Sequence, residues 1–306
     1  MGGVTVVGSF VVGLTLRADR FPVSGETVLA RDFDLGPGGK GSNQAVQVAR
    51  LGGEVEFVSL IGTDDFAGIA TDLYRREGVG TAHLRSTSER NTGVGFIILD
   101  AAGDNRILLD PGTNDHFTPE HVGPARERIA ASSVVLTQLE IPSATATAAM
   151  RAAKKGGALA ILNPAPVRPL PAEAFTHIDL LTPNQTEARV LLGLKPDDPS
   201  DDMDVCGRLL DLGVGRIVLT RGEKGATIVA PDGSVQIDAF AVDVVDSTGA
   251  GDAFNGTLAT ALAQGAGLED AVDRAAAGGA LACTALGVIP ALPYAKDVDE
   301  LMAAGR

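Results

Sequence analysis

Apolar and polar residues follow two rhythms along this chain, and the rhythm switches often. Short apolar runs at Val4–Val7, Val55–Leu60, Ser133–Leu136, Leu159–Leu162, Ile178–Leu181 and Ile217–Thr220 are bounded by turn residues, which predicts buried strands. Between them, Asp65–Arg76, Ser143–Lys155, Gln185–Leu192 and Val205–Leu212 carry apolar residues at helical spacing. The alternation predicts an α/β fold with a mostly parallel sheet covered by helices on both faces. Two stretches break it. Leu14–Leu35 and Thr92–Leu109 read as alternating strands divided by Pro22-Val-Ser-Gly25 and Asp100-Ala-Ala-Gly103, a pattern suited to a β insertion. No repeat, low-complexity segment or linker is visible, so one domain is expected.

The most informative segment is Asp246-Ser-Thr-Gly-Ala-Gly-Asp-Ala-Phe-Asn-Gly256. It follows an alternation at Phe240, Val242 and Val244 that predicts a strand, and it leads into Ala253–Ala263, which reads as a helix. Gly249, Ala250 and Gly251 then fall where a helix begins, with unpaired N–H groups and the positive dipole end facing out, a geometry that suits phosphate. Asp252 beside a bound phosphate would repel it unless it had another task, and taking a proton from an attacking hydroxyl fits. An ordinary Gly-rich turn with an acid in the first helical turn is the plainer reading; two acids bracketing the glycines weigh against it. A second such run, Gly36-Pro-Gly-Gly-Lys-Gly-Ser-Asn-Gln-Ala45, precedes a helix expected at Gln44–Leu51. There Gly38, Gly39 and Gly41 allow close backbone approach, and Lys40 and Asn43 supply donors. It matches neither the Walker A spacing nor a dinucleotide fingerprint.

Composition narrows the partners. The formal charge is −14 and no basic run stands out, which argues against a nucleic-acid or membrane-surface partner. Aromatic content is only 4 % with no Trp, so the core is built from Ala, Val, Leu and Ile. Cys206 and Cys283 lie in apolar surroundings without a pair motif and read as buried free thiols; with no leader or spanning run, the chain reads as cytoplasmic. Four scattered histidines give no metal-ligand spacing.

Together the motifs resemble the ribokinase, or phosphofructokinase-B, family of sugar kinases. The likeness is carried by Gly38–Ala45, Gln138-Leu-Glu140, Asn163-Pro-Ala-Pro166, Thr182-Pro-Asn-Gln-Thr-Glu187, Leu219-Thr-Arg-Gly-Glu-Lys-Gly225, Asp246–Gly256 and Thr284-Ala-Leu-Gly287, in family order over nearly the whole chain. The resemblance implies a three-layer α/β/α kinase with a β lid at about residues 14–35 and 92–110, ATP with Mg²⁺, a sugar or polyol substrate, and a homodimer built through the lid. It makes Asp252 the base and the amides of Gly249, Ala250 and Gly251 the anion hole. Gly38, Gly39, Lys40, Asn43, Glu140 and Asp252 become the sugar wall. Asn184 and Glu187 would place the Mg²⁺-bound phosphates, although a helix cap and a first-turn charge explain the same two residues. Thr220, Arg221, Gly222, Glu223, Gly225 and Gly251 would lie along the nucleotide, with a solvated surface charge the equal alternative for Arg221. A K⁺ ion would be held by Asp246 with the carbonyls of Thr248, Ala282, Ala285 and Gly287; Asp246 also suits a turn-initiating role, and Ala291 stands where ribokinase has a Ser.

The family's sugar grip is where the chain departs most. The Asn and Asp that bind ribose hydroxyls in ribokinase align with Val11 and Gly13, neither of which has a side-chain donor or acceptor. An ATP-dependent kinase for a sugar or polyol other than ribose is therefore expected. A nucleoside kinase of the same fold is the nearest alternative, set back by the scarcity of aromatics for stacking a base. A sugar-sensing module without catalysis is the other, set back by the retention of Asp252 and its glycines.

Overall fold

In a computed structural model, residues 2–102 and 104–306 are described. The strands are β1 (Val4–Val7), β2 (Val11–Arg17), β3 (Arg31–Gly38), β4 (Val55–Ile61), β5 (Leu84–Ser86), β6 (Gly93–Leu99), β7 (Asn105–Asp110), β8 (Val134–Gln138), β9 (Leu159–Asn163), β10 (Leu180–Leu181), β11 (Arg216–Thr220), β12 (Ala226–Ala230) and β13 (Gly233–Ile237). Nine of them form one sheet in the order β13-β12-β11-β10-β9-β8-β1-β4-β5. From β5 to β11 every pairing is parallel, and β12 and β13 add an antiparallel edge. The central strands β1, β4 and β8 are buried throughout, as a sheet covered on both faces requires. Apolar residues on its two sides belong to two separate clusters, one including Val4, Val6 and Leu258, the other Val7, Val135 and Leu209.

The remaining four strands form a second sheet, β3-β2-β6-β7. Its first strand starts at Val11, three residues before the expected start, so Val11 and Gly13 belong to this sheet rather than to a loop after β1. The turn expected at Asp100–Gly103 includes Gly103, which lies outside the described residues.

One strand expectation needs correction, and one hairpin was not anticipated. Phe240, Val242 and Val244 form no strand: Phe240 is buried against Leu51, Ala277 and Val298, while Val244 is 68 % exposed. The amides of Val245 and Asp246 bond instead to the Cys283 carbonyl, at 2.8 and 3.1 Å, and apolar alternation without a partner strand is not enough to make a strand. The β12–β13 hairpin lies outside the expected set, although Pro231-Asp232-Gly233 marks its turn. Cys206 is buried and its thiol is pushed up to about 12 by burial, whereas Cys283 is only half-buried; both are free.

A buried ion pair ties helices together behind the sheet. Arg50, at the end of the Lys40–Arg50 helix, meets Glu77, at the end of the Asp65–Glu77 helix, through Nε and a terminal nitrogen at 2.9 Å each. Its other terminal nitrogen donates to the carbonyls of Ile289 and Leu292, both at 2.7 Å, and its plane covers the Tyr294 ring. Among the described residues no helix is long and apolar enough to cross a membrane.

Candidate active site

Both Gly-rich runs open helices, but the two helix starts are occupied differently. The Lys40–Arg50 helix begins four residues earlier than its apolar spacing predicts, behind Gly39 at φ +91°. A side chain at Gly39 would lie 2.8 Å from the Val11 nitrogen, and one at Gly41 2.5 Å from the Ser9 nitrogen. Glycine is therefore required there by the close approach to the β1–β2 connection. The first-turn donors are already satisfied. Glu140 Oε2 accepts from Lys40 N at 2.8 Å and from Ser9 Oγ at 2.6 Å, while the Ser9 carbonyl accepts from Ser42 N at 2.9 Å. Glu140 thus serves as the acceptor at the start of this helix.

The Ala250–Ala263 helix starts behind Gly249 at φ +85°. A side chain at Gly249 would strike Val288 at 2.6 Å. The Ala250 N–H turns back to the Ser247 carbonyl at 3.2 Å. The N–H groups of Gly249, Gly251 and Asp252 make no hydrogen bond among the described residues. Donors for an anion at this helix end are therefore Gly249, Gly251 and Asp252, with Ala250 already engaged.

Asp252 is 5 % exposed and both its oxygens are held: Oδ2 accepts from Asn43 Nδ2 at 2.8 Å and Oδ1 from Gln44 Nε2 at 2.9 Å. The structure brings Asp252 and Glu140 into one neighbourhood with Lys40 and Asn43, across separations of 100 positions from Lys40 to Glu140 and 209 from Asn43 to Asp252. Burial is the largest influence on the Lys40 ammonium and lowers its pKa, but Asp252, Glu140 and Glu187 together outweigh it and hold the group above its ordinary value.

Asn184 and Glu187 form a reciprocal cap on the Gln185–Leu191 helix: Asn184 Oδ1 accepts from Glu187 N at 2.8 Å and Glu187 Oε2 from Asn184 N at 2.9 Å. The capping role is real, and it leaves Glu187 Oε1 without a hydrogen bond among the described residues. Burial pushes the Glu187 carboxyl upward, opposed by the Asn184 amide and Lys40 and reinforced by Asp252. Thr220 ends β11 and donates its amide to the Pro183 carbonyl at 2.9 Å, which places the Thr220–Gly225 turn beside Asn184. The Arg221 guanidinium is turned to Thr227 and Gln236, at 3.4 and 3.3 Å. Gly225 serves its turn, since a side chain there would meet the Ile237 carbonyl at 2.1 Å; Gly222 is open and Glu223 exposed.

Asp246 Oδ1 accepts from Thr248 N and Oγ1, at 2.9 and 2.6 Å, and Oδ2 from Gly287 N at 3.3 Å. Burial pulls its pKa upward, yet these bonds prevail and hold the carboxyl below its usual value. The turn-initiating role is therefore present. The carbonyls of Thr248, Ala282, Ala285 and Gly287 accept no hydrogen bond among the described residues, so they remain available as oxygen donors. Among the described residues no group of three or more His, Cys, Asp or Glu side chains could hold a metal.

Val11 pairs with Gly38 and Gly93, and Gly13 with Gly36 and Gly95, so these side-chain positions share one face of the small sheet. A side chain at Gly93 would collide with Asn114 and the Pro111 carbonyl below 3 Å. At Gly13, Gly36, Gly38 and Gly95 a Cβ would meet nothing nearer than 3.6 Å, and none of the four has a positive φ. Neither backbone conformation nor packing within the chain explains those four.

The expected site omitted Ser9 and three buried amides: Gln44, Gln138 and Asn163. Gln44 Nε2 also donates to Asn163 Oδ1 at 3.1 Å, and Gln44 Oε1 accepts from Gln138 Nε2 at 2.5 Å. Glutamine in an apolar helix or strand carries no local signal of such a role.

Comparison with known proteins finds relatives over nearly the whole chain. The family model described as pfkB family carbohydrate kinase matches residues 1–295. A ribokinase from Haemophilus influenzae is 34 % identical over 299 residues, 98 % of each chain. A deoxyribokinase from Salmonella typhi is 34 % identical over 301 residues, again 98 % of each. The solved structure of Arabidopsis thaliana ribokinase complexed with ribose and ATP superposes with a TM-score of 0.93 at 31 % identity, covering 99 % of each chain.

Proposed function

From the premise that the chain belongs to the pfkB family of carbohydrate kinases, as an ATP-dependent phosphotransferase acting on a sugar, we propose that it phosphorylates a primary hydroxyl of a sugar or polyol other than ribose. Asp252 takes the proton from that hydroxyl while the N–H groups at the start of its helix stabilise the charge on the transferred phosphoryl. Lys40, Asn43, Glu140 and the backbone at Gly38–Gly39 form the polar wall of the sugar site. The small sheet acts as a lid, and the exposed Phe33 and Leu35 on β3 and Ile107, Leu108 and Leu109 on β7 support a homodimer through it. The reading extends to a cytoplasmic enzyme, supported by two free thiols.

The observation that carries the substrate half of this reading is the face around Val11 and Gly13. Whole-chain likeness does not separate sugars, since a ribokinase and a deoxyribokinase are equally similar. On that face the chain offers a Val side chain and open glycines. A ribose hydroxyl placed there loses water without a returning bond. In a panel of pentoses, deoxypentoses, hexoses and polyols, at least one compound should exceed ribose in kcat/KM by about tenfold or more, the equivalent of roughly 1.4 kcal/mol. Because a Cβ at Gly13 is free of contacts below 3.7 Å, Val11→Asn with Gly13→Asp should fold and shift preference toward ribose. Ribose at the head of the panel for the unmodified protein would overturn this half.

ATP is read here with Mg²⁺, which neutralises the phosphates. Glu187 Oε1 and Asn184 are the side chains suited to hold it through its phosphate-bound shell. For K⁺, the fit is the set of unbonded carbonyls around Asp246. Turnover should need Mg²⁺ and rise severalfold when K⁺ replaces a large organic cation; equal rates in K⁺, Na⁺ and the organic cation would remove the K⁺ site alone.

A further inference from the structure

Asp252 is held from behind by a chain of amides. Gln44 is fully buried, as is Gln138, and Asn163 is nearly so. Gln138 Nε2, at the end of β8, donates to Gln44 Oε1; Gln44 Nε2 then donates both to Asp252 Oδ1 and to Asn163 Oδ1. Asn163 Nδ2 continues to the Thr182 carbonyl at 3.3 Å, and Thr182 Oγ1 donates to Asn255 Oδ1 at 2.6 Å. Asn255 Nδ2 closes the path on the Gly251 carbonyl at 2.8 Å, in the first turn of the helix that carries Asp252. One consequence is orientational. Because its oxygen is committed to Gln138, Gln44 can present only N–H to the carboxylate, and a flipped amide would set oxygen against oxygen.

We propose that Gln44, oriented by Gln138, is the positioning residue of the base: it fixes the rotation of the Asp252 carboxylate. The inference rests on the reading of Asp252 as the base. Gln44 is not a catalytic residue here, since it lies behind Asp252 and contacts the reaction only through it. The charged groups that face Asp252 are Lys40, from the start of its helix, and Glu187; Glu140 lies beyond, on the Lys40 amide. The strands β1 and β8 packed on the Asp252 helix carry no charged residue, and the stretch Ala275–Ala282 beside Ala250 is uncharged too. A neutral donor thus supplies the second oxygen's stabilisation where no further cation faces it.

Gln44→Met keeps the length and removes three bonds, to Asp252, Asn163 and Gln138. A carboxylate left to rotate out of line with the attacking hydroxyl loses turnover rather than nucleotide binding, so kcat should fall about tenfold while KM for ATP changes less than about twofold. Unchanged kcat would overturn the proposal. If Gln44→Met does not fold by circular dichroism, Gln138→Leu carries the test in its place, with the same split between kcat and KM expected and unchanged kcat overturning the proposal. Asp252→Asn measured alongside separates the two levels. Full turnover in that variant would overturn the base and the proposal together, whereas loss of turnover there with unchanged kcat in Gln44→Met would overturn the proposal alone.

Discussion

Asp252→Asn should lower kcat by about 10³-fold or more while leaving the affinity for ATP within about twofold. General-base assistance from a positioned side chain contributes about 10²–10⁴ in rate, and asparagine has the size of aspartate without the capacity to accept the proton. The change also converts a bond with Asn43 or Gln44 into an apposition of like amide groups, since both oxygens of Asp252 accept from amide nitrogens. For that reason the loss should fall at the upper end of the range. Steady-state kinetics with saturating sugar, together with calorimetric titration of ATP, checks both halves. Turnover equal to the parent's removes Asp252 from the base role.

Glu77→Leu should cost about 3–5 kcal/mol of folding stability, the largest effect expected away from the active site. It leaves the Arg50 guanidinium 7 % exposed with its ionic partner gone, and an unpaired buried charge is far more costly than the intact pair is favourable. A Glu77→Leu, Arg50→Met double variant removes the unpaired charge but leaves the carbonyls of Ile289 and Leu292 without their donor, so it should recover only part of the loss. Acid unfolding provides a second check. The hydrogen bonds from Arg50 hold the Glu77 carboxyl below its usual value, against the upward pull of burial. Its contribution is complete above the unfolded carboxyl's pKa and disappears as pH falls through the lower folded value. The parent's melting temperature should therefore fall more steeply than the variant's as the pH drops below about 4.3. Parallel curves would exclude this linkage.

The parts of the fold most legible in the sequence were those whose chemistry is local. The buried parallel strands β1, β4, β8 and β9 announce themselves because a strand covered on both faces is apolar throughout. Val242 and Val244 misled because alternation reports a half-buried face, and here only Phe240 finds one. The Lys40–Arg50 helix starts earlier than its apolar spacing predicts because its first turn is satisfied by Glu140, a residue 100 positions away. The candidate site divides in the same way. Asp252 and Asn43 lie in glycine-marked runs at helix starts, where the backbone itself signals a ligand. Gln44, Gln138 and Asn163 act through contacts that span 94 to 208 positions, and no window along the chain contains that information. Asn184 and Glu187 show a third case: the structure forms the cap, and that cap leaves Glu187 Oε1 without a hydrogen bond among the described residues, so it does not exclude the phosphate-placing role.

The glycines of the small sheet and of the adjoining helix start fall into two classes that drift would treat differently. At Gly8, Gly39 and Gly41 any added carbon strikes backbone or a buried amide below 3 Å, so mutation there breaks the scaffold and the catalytic apparatus with it. At Gly13, Gly36 and Gly95 an added carbon enters open space or ordinary contact. If the small sheet lines the sugar site as proposed, a lineage can rewrite what the enzyme accepts by single substitutions there while Asp252 and its amides stay untouched. Substrate range would then be a trait separable from phosphoryl transfer and open to gradual change.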